Sequence, residues 1–217
     1  MLASDVITPA QILFGDTNKV VATDAACLAF LNDGIREIAR QTLLFQATVT
    51  TTGAAVRLGY DMSAVPDLIV INRVTYDGEP IALMTEESID RLLVMSTPDG
   101  TPVGYYTSGQ NLKFYPRPLS TDALAVVITY SKLLTAATAV SSTVSMPDNW
   151  RTELIDFIVS RLHQRNENWR AAEYYDKKFA SSIADRKFEA QARDDTFLQV
   201  VPDIMDQGDS MWDGYIS

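Results

Sequence analysis

The sequence predicts an α+β fold: a small antiparallel helical bundle, an inserted all-β domain of sandwich or barrel type, and an extended C-terminal tail. Three observations predict it. Apolar residues recur at helical spacing near the start of the chain and again over 150–192. Between them, from 43 to about 130, the pattern changes to short β-branched runs separated by turn residues. Residues 194–217 mix aspartate with large apolar side chains and hold no lysine or arginine. The resulting boundaries are 1–44 and 134–193 for the helical bundle, 45–133 for the β domain and 194–217 for an acidic-apolar docking tail.

The first helix starts at Thr23 or Asp24, either of which can cap it, because a short side-chain oxygen satisfies the orphan amides of a first turn. Leu28, Leu31, Ile35 and Ile38 then share one face, and the helix reaches about Thr42. Gly34 inside it costs up to about 1 kcal/mol against alanine, which points to close approach by another element. Residues 47–52, 55–58 and 67–76 read as strands, and Asp77-Gly78 turns the last of them back over 80–84. Thr85 caps a short helix to about Val94. A second hairpin pairs 105–107 with 112–115 around Gly109-Gln110-Asn111, and 124–130 is the last strand.

A Ser/Thr/Ala linker at 135–145 leads to Met146-Pro147-Asp148, with proline near the first helical position, where its missing amide is harmless. The helix over 150–165 carries Trp150, Leu154, Phe157, Ile158 and Leu162 on one broad face. After a break at 166–168, a third helix carries Trp169, Ala172, Tyr175, Phe179, Ile183 and Phe188 as its apolar stripe.

Composition excludes several classes. The chain has 217 residues, 47% apolar and 21% charged, which suits one ordinary globular domain or a small domain carrying an insertion. No apolar run is long enough for a membrane helix. The first five residues lack a basic segment followed by an apolar run, which predicts no signal peptide. One cysteine, Cys27, excludes an internal disulfide framework, and one histidine, His163, excludes multi-histidine metal sites. The net charge of −10 divides as −6 over 1–150, +2 over 151–193 and −6 over 194–217. An acidic chain is poorly suited to nonspecific DNA binding, which needs clustered lysine and arginine.

The chemistry-bearing residues form no recognisable site. Cys27 sits in the first turn of a helix, where a thiol pKa can fall, but Ala25, Ala26, Leu28 and Ala29 around it mark no nucleophile turn. A packing role is expected. His163 and Glu167, four apart, read as a surface pair. Glu153 and Asp156 could share a metal, yet nothing supplies the remaining ligands. Phosphate-loop, dinucleotide, nucleophile-elbow and EF-hand patterns are missing. No catalytic residue, cofactor or metal is therefore expected. The third helix interleaves Trp169, Arg170, Tyr174, Tyr175, Lys177, Lys178, Phe179, Arg186 and Lys187, as a nucleic-acid platform would. Helical spacing of its aromatics reads instead as core beneath a solvated charged face.

The order of these signals resembles the phage head-to-tail adaptor (head completion, connector) proteins, the ring-forming tail-tube A type included. The resemblance rests on Phe30-Leu31-Asn32-Asp33-Gly34-Ile35-Arg36-Glu37-Ile38-Ala39-Arg40, similar to the family's opening helix. It continues through Pro102, Tyr105-Tyr106, Gly109 and Leu112-Lys113-Phe114-Tyr115-Pro116-Arg117-Pro118 to Val126-Val127-Ile128-Thr129-Tyr130. Met146-Pro147-Asp148-Asn149-Trp150 then leads into Leu154 to Leu162, and Ala171-Ala172-Glu173-Tyr174-Tyr175-Asp176-Lys177-Lys178-Phe179 is similar to the last helix.

The resemblance implies a structural virion protein without catalytic residues or cofactors. It implies a homo-oligomeric ring, usually of twelve copies, under the portal protein at the unique capsid vertex. Its other partner is a tail tube, nozzle or further neck protein. Genomic DNA passes through the lumen without specific binding. Assembly takes place in the host cytoplasm, with no membrane. A terminal segment in such proteins often reaches the portal. By position and character that segment is 194–217 here, with Val200, Val201, Ile204, Met205, Met211, Trp212, Tyr215 and Ile216 as the expected portal contacts. The alternatives are another neck component (a stopper or tail-completion protein), a nucleic-acid-binding module on the third helix, or a small enzyme using Cys27 and His163.

Overall fold

The computed structural model describes residues 1–85, 87–89 and 99–198, with side chains to Glu189. The fold is mixed α+β. Its helices are α1 (Ser4–Phe14), α2 (Asp24–Thr42), α3 (Arg151–Arg165) and α4 (Trp169–Leu198). Its strands are β1 (Gln46–Thr52), β2 (Tyr60–Asp61), β3 (Leu68–Tyr76), β4 (Glu79–Leu83), β5 (Gly104–Ser108), β6 (Asn111–Tyr115) and β7 (Ala125–Lys132). The chain divides into two compact units, and the division falls inside α2, between Gly34 and Ile35.

In the helical unit, α1 lies against α3 and α3 against α4. Helix α1 was not expected from the sequence, and it holds Pro9 in its interior. It buries Val6, Ile7 and Ala10. The loop after it folds on Asp16, whose carboxylate accepts the amides of Val20, Val21 and Ala22. Gln11, itself buried, donates from Nε2 to the Ala22 carbonyl and to Asp24 Oδ1, which fixes where α2 begins. Thr23 is the cap of α2, its Oγ1 accepting the Ala26 amide at 3.3 Å. Gly34 allows the close approach expected of it: a Cβ there would sit 3.0 Å from Phe157 Cδ1 and 3.2 Å from Leu154 Cδ2. The α3 face of Trp150, Leu154, Phe157, Ile158 and Leu162 is buried throughout.

In the β unit the strand order is β1-β7-β3-β4-β5-β6-β2. Leu112 and Phe114 of β6 share one core cluster with Val126 and Ile128 of β7, although three strands separate β6 from β7 in that order. The sheet must therefore curl around Val74, Tyr76 and Tyr105. It is one curled sheet, not two stacked ones, and among the described residues β1 and β2 do not pair to close it. The β3–β4 hairpin turns at Asp77-Gly78 with φ of 51° and 84°, the mirror-image turn whose twist suits adjacent strands. The pairing of β4 with β5 is parallel, an exception to the expected antiparallel pattern.

The run 55–58, read as a strand, is a series of turns. Val56 N–H donates to the Gly53 carbonyl and Gly59 N–H to that of Val56. The turns bury Val56 in the core cluster and leave Leu58 80% exposed. Thr85 caps the short helical stretch at 87–89, where Ser88 N–H donates to its Oγ1. The continuation of that helix to Val94, expected from the sequence, lies outside the described residues.

Candidate interaction surfaces

The expected portal contacts, Val200, Val201, Ile204, Met205, Met211, Trp212, Tyr215 and Ile216, lie outside the described residues, as does the rest of the tail from 199 onward. The described residues carry two other features of functional interest: the polar seam of the α3–α4 hairpin and a cationic cleft in the β unit.

The seam explains what the basic residues of α4 do. Lys178 Nζ lies 2.9 Å from Asp156 Oδ1, and Arg186 Nε lies 2.8 Å from Glu153 Oε1. Both carboxylates are buried. Ser160 donates to Asp176 at 2.7 Å, and Gln164 donates to the same carboxylate at 2.9 Å. Partners ascend along α3 as they descend along α4, so the helices are antiparallel. Burial pushes the Asp156 pKa up against the pull of Lys178, while the Asp156 carboxylate pushes the lysine up. Arg186 also stacks its guanidinium 4.7 Å from the Trp150 ring. Lys177 pairs with Glu173 on the surface.

A phosphate-binding platform needs these cations facing outward. Lys178 and Arg186 are instead committed to buried carboxylates, and Phe179 is core. Ala172 and Ile183 are buried as the stripe requires, whereas Trp169, Tyr174 and Phe188 are exposed. Glu153 and Asp156 thus each pair with a cation of α4. Among the described residues no group of three or more metal-ligating side chains comes together.

Cys27 is fully buried, and burial pushes its thiol up to about 11, far from the thiolate a nucleophile needs. His163 sits between Phe14, edge-on at 4.9 Å, and Tyr175, stacked at 5.8 Å. Burial lowers its pKa. Glu167, expected to pair with it, lies past the end of α3 in the left-handed region at φ 57°. Cys27 thus lies in the core, and His163 packs against two aromatic rings. Among the described residues no helix is long and apolar enough to cross a membrane.

The cationic cleft was not read from the sequence. Arg57, Leu58, Tyr106, Lys113, Phe114 and Arg117 line it. Asp99 bridges its two guanidiniums, 2.8 Å from Arg57 Nη2 and 2.7 Å from Arg117 Nε. Arg117 and Arg57 hold the Asp99 carboxyl below the usual range. These residues come from a turn, a hairpin and the chain after β6, so no local spacing could have revealed them.

Comparison with known families adds one match. The sequence model described as SU10 adaptor protein matches residues 1–203, which takes in all of the β unit and nearly all of the helical one. No curated protein matches the chain.

Proposed function

The chain belongs to the SU10 adaptor protein family, a family of phage head-to-tail adaptors, and from that premise we propose that it forms a ring joining the portal to the tail. The observation that carries the reading is the length of the family match, 1–203 of the 217 residues. In this role the protein is a structural component of the virion neck. Copies surround the path of the genome, and the ring is of the order that matches the portal, twelve in the usual case.

The electrostatics support it. A net charge of −10 repels DNA phosphate, so a lumen built from this chain lets DNA slide. Pairing Lys178 and Arg186 with Asp156 and Glu153 offsets two cations that would otherwise attract the backbone.

The test is to mix the purified chain with the portal protein of the same virus and image the product. A ring stacked on the narrow end of the portal, with matching symmetry, is the expected result. A folded chain and an intact portal that do not associate would overturn the reading. Association only with tail-side components would assign the chain to a stopper or tail-completion role.

A further inference from the structure

The cleft of the β unit has the chemistry to hold an acidic peptide, and this chain carries such a peptide. We propose that the cleft lined by Arg57, Lys113 and Arg117 seats residues 199–217 of a second copy of the chain.

Three observations define the seat. First, three cations and one carboxylate converge in a protein whose net charge is −10, so the cleft runs against the charge of the whole. Second, a cation remains beyond the Asp99 bridge: Lys113 forms no ion pair among the described residues. The position of Asp99 shows that the two guanidiniums are spaced to bind carboxylate. Third, the lining includes one exposed apolar side chain, Leu58, along with Tyr106 and the buried Phe114. A phosphate backbone makes no use of an exposed leucine.

The occupant follows by complementarity. Residues 199–217 hold Asp203, Asp206, Asp209 and Asp213, with no lysine or arginine, interspersed with Met211, Trp212, Tyr215 and Ile216. Aspartates meet Lys113 and the excess positive charge of the two guanidiniums over Asp99, and an aromatic or methionine side chain covers Leu58. Extended, these nineteen residues span up to about 60 Å. The inference goes beyond the adaptor reading. It gives copies of the chain a clasp to one another, and it does not depend on the portal.

Binding of a fluorescently labelled peptide of residues 199–217 to the full chain tests it, read by anisotropy. The expected affinity weakens as salt rises. It falls about tenfold in Lys113→Glu combined with Leu58→Asp, two side chains outside the core. Arg117→Gln should weaken it independently, and unfolding midpoints confirm that each variant is folded. A peptide with its four aspartates changed to asparagine should bind about tenfold more weakly. Equal affinity for the cleft variants overturns the proposal. So does displacement of the peptide by duplex DNA, which would make the seat a phosphate site. Binding of the peptide to the portal protein but not to the chain also overturns it, and returns the segment to the portal.

Discussion

Arg151 donates from Nε to the backbone carbonyl of Asp5 at 2.9 Å. That carbonyl lies four residues before Pro9, inside α1, and the proline has no amide to give it. Proline inside a helix costs about 3 kcal/mol, part of it from this orphaned acceptor. The guanidinium therefore repairs from α3 a defect written into α1. Arg151→Met should lower stability by about 1 kcal/mol in the natural sequence and by much less in a Pro9→Ala background, where the substituted residue supplies the missing amide. Urea unfolding of the two single variants and the double variant gives the coupling. Strictly additive losses would show that the bond contributes nothing specific.

The same pair shows why α1 escaped the sequence reading. Pro9 reads as a break when judged by its neighbours, and the residue that compensates lies far along the chain, at Arg151. The turns at 53–59 escaped for a related reason. Ala55-Val56-Arg57-Leu58 alternates as a strand does, but the carbonyl of Gly53 takes the Val56 amide and sends Val56 into the core. The short strand β2 has two residues and no periodicity to read. By contrast α2, α3, the β3–β4 hairpin and β7 were legible, because each buries a face whose spacing local sequence records. The Asp77-Gly78 turn was legible because its backbone demands those residue types. The α4 stripe was legible at Ala172, Phe179 and Ile183 and misleading at Trp169 and Phe188, which periodicity cannot distinguish from core. The cationic cleft was invisible, since Arg57, Lys113 and Arg117 meet only after the sheet has curled.

The Asp156–Lys178 pair makes stability depend on pH in an unusual direction. Burial raises the Asp156 pKa above the ordinary 3.8, so the folded chain holds that proton to higher pH than the unfolded chain does. The ionised carboxylate thus opposes folding above the raised value, and its opposition fades as pH falls through it. Asp156→Asn should leave stability at neutral pH unchanged or increased, with the difference from the natural chain shrinking in acid. Lys178 behaves in the complementary way. Its contribution is full below the ordinary 10.5 and is lost as pH rises through the raised value in the fold. Lys178→Met leaves the carboxylate unpaired and should cost about 2 kcal/mol at neutral pH, the low side for a broken buried pair because water reaches the lysine end. Denaturant titrations across the pH range read both effects. A clear loss of neutral-pH stability in Asp156→Asn would show that the pair, not the burial, dominates.

Gly34 tests packing against propensity. Alanine there gains about 1 kcal/mol of helix preference. Its Cβ would meet Phe157 Cδ1 at 3.0 Å and Leu154 Cδ2 at 3.2 Å, both ends of core side chains. Overpacking costs about 1 to 3 kcal/mol, so Gly34→Ala should be net destabilising by about 1 kcal/mol and Gly34→Val by more. Thermal unfolding decides, and a stabilised alanine variant would mean that α2 moves away without cost.

Cys27 should behave as an inert core thiol. With the thiol pushed up to about 11 and fully buried, reaction with a disulfide reagent at neutral pH must wait for opening of the helical unit. The modification rate should rise with urea in step with unfolding, and Cys27→Ala should cost about 1 kcal/mol. Fast labelling of the folded protein would contradict the burial and reopen the thiol as a reactive group.

The register of β1 gives a prediction with a built-in control. Lys132 N–H donates to the Phe45 carbonyl at 2.8 Å, and Gln46 pairs with Ser131. Hydrogen-bonded pairs alternate along an antiparallel ladder, so Ala47, Val49 and Thr51 turn their backbone groups toward β7, while Thr48 and Thr50 turn theirs away. Strand β1 is the edge of the sheet, and it has none of the usual guards: no charge, no proline and no shift of register over seven residues. Val49→Pro removes a ladder donor and strands the Ile128 carbonyl, so it should cost about 2 to 4 kcal/mol. Thr50→Pro removes an amide that faces outward and should cost at most about 1 kcal/mol. Because that proline also guards the edge, Thr50→Pro should aggregate more slowly than the natural chain in concentrated solution, as should Thr50→Lys. Equal destabilisation by the two prolines would mean that both amides are in the ladder, and the outward edge would then already be occupied.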